Sequence, residues 1–198
     1  MHAAAWIATQ AEQRDPFRIA LTGGGAVGPV YERLAGLDLD WGSWHVWWSD
    51  ERLVPPEHED SNERLAREAL LARVPIPEEQ VHPLRSQEVE LPERLDLVLL
   101  GIGPDGHTGS LYPGHDGELA DPGPVVHVPE PGWPPPHPRL SFSLAYVNAQ
   151  PLAAFLVAGE GKREILALVL AGDESLPAAR VRAAQTVVLA DEAAAPLS

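Results

Sequence analysis

Apolar residues fall along this chain in short runs that alternate with stretches of helical spacing. "FRIALTG" (17–23) is apolar and ends in glycines, which predicts a buried strand followed by a loop. In "GPVYERLAGL" (28–37), Val30, Leu34 and Leu37 share one helical face, and Pro29 suits a first turn, where its missing N–H costs nothing. "SWHVWWSDE" (43–51) reads as a second strand, and the acidic loop "RLVPPEHED" follows it. "DSNERLAREALLARV" (60–74) predicts a helix whose first N–H groups can be accepted by Asp60, Ser61 or Asn62. "RLDLVLLGIG" (94–103) is the clearest strand, a continuous apolar run that fits a parallel sheet covered on both faces. Residues 125–128, 139–147 and 152–159 are further strand candidates. Residues 161–172 form an amphipathic helical pattern stopped by Gly172, and 186–191 read as a last strand. The proline-rich stretch 129–138 reads as a loop within one domain, because strands of similar character flank it.

Strands alternating with helices, with no internal repeat, predict a three-layer α/β fold. It is Rossmann-like, a mostly parallel sheet flanked by helices, in a single domain over residues 1–198. In such sheets ligands sit beyond the carboxyl ends of the strands. The most distinctive loops, 22–28, 49–52 and 101–110, fall there.

Composition narrows the function. The chain has 198 residues, 44% hydrophobic and 22% charged, as expected of a globular domain. No apolar run approaches the roughly 20 residues that span a bilayer, and the amino-terminal stretch shows no secretory pattern, so a cytoplasmic location is expected. There is no cysteine, which rules out disulfides, thiolate metal sites and cysteine nucleophiles. The net charge of −15 argues against general nucleic-acid binding. An anionic small substrate would need a local basic pocket to overcome the global field. Lys162 is the single lysine among 14 basic residues, and Asn62 and Asn148 are the only asparagines.

Gly23, Gly25 and Gly28 have the G-x-G-x-x-G spacing of a dinucleotide loop, and Asp50 stands where a ribose-binding acid would lie. Arg52 and the proline loop behind Asp50 do not fit that role, and the chain leaves little room for a second substrate domain. The second glycine loop, "LLGIGPDGHTGSLYPG" (99–114), is more specific. It delivers Asp105 and His107 two residues apart at the end of a buried strand. A carboxylate there can orient an imidazole and stabilise its protonated form, which suits a general base. Ser110 lacks the G-x-S-x-G elbow of a serine nucleophile and reads as a cap or packing hydroxyl. His58 and His115 show no recognised metal spacing, so no metal is expected.

The blocks "LTGGGAVGPVYERLA", "WWSDERLVPPEHEDSN", "LDLVLLGIGPDGHTGSLYPG", "PRLSFSLAYVNAQPLAAFLVAGEGKREIL" and "LPAARV" occur in the order found in 6-phosphogluconolactonases. The chain resembles that family over about residues 18 to 182. The family belongs to the superfamily that includes glucosamine-6-phosphate deaminase. The resemblance implies hydrolysis of 6-phospho-D-glucono-1,5-lactone to 6-phosphogluconate in the oxidative pentose phosphate pathway, without a cofactor. It implies His107 as the catalytic base, with Asp105 and Asp50 in the catalytic site. Arg52 would line the same pocket. Thr22, Gly23, Gly24 and Gly25, with Arg139 and Lys162, would hold the phosphate. The only partner implied is the sugar-phosphate lactone, and a monomer is the expected form.

Some positions depart from the family pattern. Gly25 and Ala26 stand where a serine or threonine is common, which leaves backbone donors but fewer side-chain ones. No lysine-proline pair precedes Arg139; His137 stands near it instead. The amino-terminal region is short, and Asp191 is kept without the tryptophan often found before it. Two alternatives stand beside the lactonase. One is a deaminase-like isomerase, disfavoured because "TGSLYPG" after Asp105–His107 has neither Asn nor Glu. The other is a non-catalytic sugar-phosphate binder, disfavoured by the intact Asp50, Arg52, Asp105, His107, Arg139 and Lys162.

Overall fold

The apolar runs become strands and the periodic stretches become helices in a computed structural model that describes residues 3–196. In order these are α1 (Ala3–Ala11), β1 (Phe17–Leu21), α2 (Gly28–Ala35), β2 (Trp44–Trp48), β3 (Asp50–Arg52), α3 (Asn62–Ala69) and β4 (Leu97–Leu100). Then follow α4 (Asp116–Leu119), β5 (Val125–Val128), β6 (Arg139–Phe142), α5 (Leu144–Asn148), β7 (Leu152–Val157), α6 (Arg163–Leu170) and β8 (Gln185–Ala190).

Five strands form a parallel sheet in the order β2-β1-β4-β7-β8. β4 and β7 are buried at every position, the consequence of helices covering both faces. The chain winds outward from β1 to β2, then returns to place β4 on the other side of β1. That reversal opens a crevice at the carboxyl ends of β1 and β4, where open α/β sheets bind ligands. Helices α1, α2 and α3 pack side by side. Among the described residues no helix is long and apolar enough to cross a membrane.

The predicted strand 43–51 is two strands. β2 ends at Trp48, and Asp50 opens β3 in a second, antiparallel sheet of order β3-β6-β5. Ser49 is the joint. Its N–H donates to Leu21 O (2.7 Å) in the large sheet, and its carbonyl accepts from Phe142 N (2.7 Å) in the small one. The predicted strand 139–147 is also shorter, because Ser143 caps α5 by accepting from Tyr146 N at 3.0 Å. Helix α3 stops at Ala69, with a 3-10 turn at Leu71–Arg73, inside the predicted 60–74. Helices α1 and α4 were not expected from the sequence pattern.

Candidate active site

Loops from both glycine motifs and from β3 line one cleft of about 240 Å³. The loop after β4 turns tightly: Gly106 N donates to Gly103 O (3.0 Å) and Gly103 N donates to His107 O (2.8 Å). This fold-back presents His107 to the cleft and sets Asp105 behind it. Nδ1 of His107 lies 2.5 Å from Oδ1 of Asp105, which also accepts the His107 N–H at 3.2 Å. Burial pushes the Asp105 carboxyl up. The hydrogen bonds and charge of His107 overcome that and hold it below the usual aspartate range. Nδ1 is thus the nitrogen that carries a proton, and Nε2 has no protein partner among the described residues.

Asp50 is buried and held from two sides. Ser110 Oγ donates to its Oδ2 (2.9 Å) and Asn62 Nδ2 to its Oδ1 (3.2 Å). Asn62 Nδ2 also donates to the Asp50 carbonyl at 2.9 Å, while its own Oδ1 is buried without a partner. Ser110 is thus the packing hydroxyl expected, though not a cap: its work is to fix Asp50.

Arg52 and Arg139 stand opposite each other in the β3–β6 register. Like charges facing across strands destabilise a sheet unless an anion lies between them. Arg52 Nη1 donates to Asp60 O, and Arg139 Nη2 donates to Trp133 O (3.0 Å) and Pro135 O (2.9 Å). The Nε of each is buried without a partner. Burial pulls Arg139 down from the ordinary arginine value, Arg52 adds to that, and Tyr112, Asp50 and Asp60 oppose it. Lys162 Nζ donates to Ile102 O at 2.7 Å from the far wall. Burial also lowers the lysine, against the opposing charge of Asp105.

The first glycine loop passes close to this network. A Cβ at Gly23 would sit 1.8 Å from Asn62 Oδ1, so only glycine lets the loop approach Asp50's partner. Thr22 cannot offer its backbone N–H to a ligand, because Tyr31 Oη accepts it at 3.0 Å. The N–H groups of Gly23, Gly24 and Gly25 have no partner among the described residues.

Of the residues singled out from the sequence, Thr22, Gly23, Gly24, Asp50, Arg52, His107, Arg139 and Lys162 line the cleft. Gly25 lies beside it and Asp105 behind it. The sequence marked Asn62 as a rare residue and a possible cap but gave it no place in the site, and it gave none to Tyr112. The buried Tyr112 ring packs 4.7 Å from His107, with the Arg139 guanidinium carbon 5.8 Å from its centroid. Burial, against Arg139 and with Asp50 and Asp105, pushes its hydroxyl up to about 12. The scarcity of asparagine was the one available signal for Asn62. Tyr112 carried none beyond its place in "TGSLYPG".

Comparison with known proteins agrees with this geometry. The family model for glucosamine-6-phosphate isomerases/6-phosphogluconolactonase matches residues 1–190. A 6-phosphogluconolactonase of a Nostoc species is 39% identical over 82% of this chain and 75% of its own length. A probable chloroplastic 6-phosphogluconolactonase of rice is 36% identical over 77% of this chain. The match covers 56% of the rice protein, so the chain spans just over half of that relative. The crystal structure of 6-phosphogluconolactonase from Thermotoga maritima superposes with a TM-score of 0.83 at 30% identity, covering 94% of this chain and 92% of that one.

Proposed function

The chain belongs to the glucosamine-6-phosphate isomerase/6-phosphogluconolactonase family, and from that premise we propose that it hydrolyses 6-phospho-D-glucono-1,5-lactone with His107 as general base. The observation that carries this reading is the Asp105–His107 pair, 2.5 Å apart, on a cleft whose walls hold Arg52, Arg139 and Lys162. With Nδ1 protonated against Asp105, Nε2 takes a proton from water as the oxygen attacks the lactone carbonyl carbon. The tetrahedral intermediate collapses, the ring C–O bond breaks, and the imidazolium returns the proton to the departing ring oxygen. The products are a free hydroxyl and a carboxylic acid, which loses its remaining water-derived proton to solvent and becomes the carboxylate. No covalent nucleophile is needed.

The substrate's phosphate would lie on the N–H groups of Gly23, Gly24 and Gly25, with Arg139 and Lys162 as counter-charges. Asp50, fixed by Ser110 and Asn62, is an acceptor for the sugar. The absence of Asn or Glu after His107 supports the lactonase over the isomerase branch. The reading includes a monomeric, cytoplasmic, cofactor-independent enzyme in the pentose phosphate pathway. General base catalysis contributes about 10²–10⁴-fold, and an activated ester needs little beyond donors to its oxyanion. The test is lactone turnover corrected for spontaneous hydrolysis. His107→Ala should lose about 10²-fold or more in kcat while retaining 6-phosphogluconate binding. Unchanged turnover would remove this mechanism.

A further inference from the structure

Two loops at the rim of the cleft converge on a second cluster. His58 and Asp60 come from the loop before α3, and His137 comes from the proline-rich loop before β6, 77 residues from Asp60. His137 Nε2 lies 2.9 Å from Asp60 Oδ2, and His58 Nδ1 lies 3.7 Å from the same oxygen. The two imidazole rings stand edge to face at 5.2 Å. One potential ligand atom from each residue lies within 4.8 Å of the other two. His58 had been set aside from the sequence for want of spacing; the fold supplies the partners that spacing did not show.

We propose that His58, Asp60 and His137 bind one divalent transition-metal ion of the zinc class. Two imidazoles and a carboxylate are the borderline N/O donor set that such ions prefer. Bonds of about 2.0–2.2 Å in a tetrahedral site hold neighbouring ligand atoms roughly 3.3 Å apart. The 2.9 and 3.7 Å separations bracket that spacing. The Asp60 N–H donates to His58 Nδ1 at 3.1 Å, so that nitrogen carries a lone pair rather than a proton. An ion would replace this weak hydrogen bond with a coordinate bond and displace the proton between His137 and Asp60. All three side chains are about one-third exposed, which leaves the remaining position to water. Glu57 and Glu59 flank His58, and the chain's excess of acids favours a cation.

The site would tie together two loops that each hold a cleft arginine. Asp60 O accepts from Arg52, and Trp133 O and Pro135 O accept from Arg139. None of the three ligands belongs to the catalytic cleft, so the inference stands apart from the lactonase reading.

The experiment titrates chelator-treated full-length protein with Zn²⁺ by calorimetry and with Co²⁺ by visible absorption. One equivalent per chain is expected. Loss of an outer-shell partner alone weakens metal binding about 10–100-fold. Loss of a direct ligand in His58→Gln or His137→Gln should therefore exceed about 100-fold. His45→Gln, which alters an imidazole elsewhere, should bind as wild type does. Thermal unfolding without metal checks that each variant is folded. No saturable binding by the wild type would overturn the proposal. So would unchanged binding in either folded ligand variant, or equal loss in His45→Gln.

Discussion

A β-carbon at position 103 would lie 2.1 Å from Nδ1 of His107, the nitrogen that faces Asp105. Gly103→Ala should therefore drive the imidazole off its carboxylate and leave the cleft otherwise intact. The expected result is a loss of about 10²-fold in kcat with product affinity retained, read by steady-state kinetics and calorimetry. Asp105 gives a second test. Its carboxyl is held below the ordinary range, so it is ionised at neutral pH and accepts from His107 Nδ1. As pH falls through that lowered range the carboxylate is protonated and the imidazole loses its acceptor, so kcat/KM should fall there. In Asp105→Asn the carboxylate is gone, so that loss on acidification should disappear while the activity at neutral pH drops about 10²–10⁴-fold. Unchanged activity at neutral pH would detach Asp105 from the base. Asp105 and His107 were legible in the sequence because only Gly106 separates them on one glycine loop. The contacts of Ser110 and Asn62 with Asp50, and of Tyr112 with Arg139, were not, because they join different segments of the fold. Ser110 reaches an aspartate 60 residues away.

At the scale of elements, the start of α3 fixes the site. Ser61 Oγ accepts from Arg64 N (3.1 Å), while the buried Glu51 carboxylate accepts from Asn62 N (2.8 Å) and Glu63 N (2.6 Å). Glu51 belongs to β3, so the same contacts that cap the helix hold Asn62 against Asp50. Burial pushes the Glu51 carboxyl up, against the backbone N–H groups that favour its ionised form. Ser61→Ala should cost about 1 kcal/mol, the usual loss for a cap. Glu51→Ala leaves several buried donors without an acceptor and should cost more, about 2–4 kcal/mol. It should also lower activity, because Asn62 loses its anchor. Urea unfolding of both variants tests the order; equal costs would mean that Glu51 is not the main cap. The cap itself was readable from "DSN". The break at Ser49 was not, because tertiary hydrogen bonds to two different sheets part the strands. Helix α1 also escaped, since "AAAWIATQA" is apolar on most sides and shows no capping residue at its start.

For the whole molecule, alternating strands and helices made the parallel sheet legible, whereas the antiparallel sheet depends on long-range pairing of β3 with β6 and carries no local signature. The two sheets share more than proximity. Ser49 is hydrogen-bonded to both, and Asp50 of the small sheet is gripped by Ser110 from the loop after β4 and by Asn62 from the start of α3. Neither sheet can come apart without stripping partners from buried polar groups of the other, so residues 1–198 should unfold as one unit. Four of the six tryptophans, Trp41, Trp44, Trp47 and Trp48, lie in or beside β2, so fluorescence chiefly follows the large sheet. Far-UV circular dichroism follows the whole chain. In urea the two curves should coincide. Addition of 6-phosphogluconate at about 100 times its Kd should shift both by the same roughly 2.7 kcal/mol, because a ligand held between the sheets stabilises them together. A fluorescence transition that parts from the dichroism curve, or that ignores the ligand, would show two separately folding units and contradict the single-domain reading.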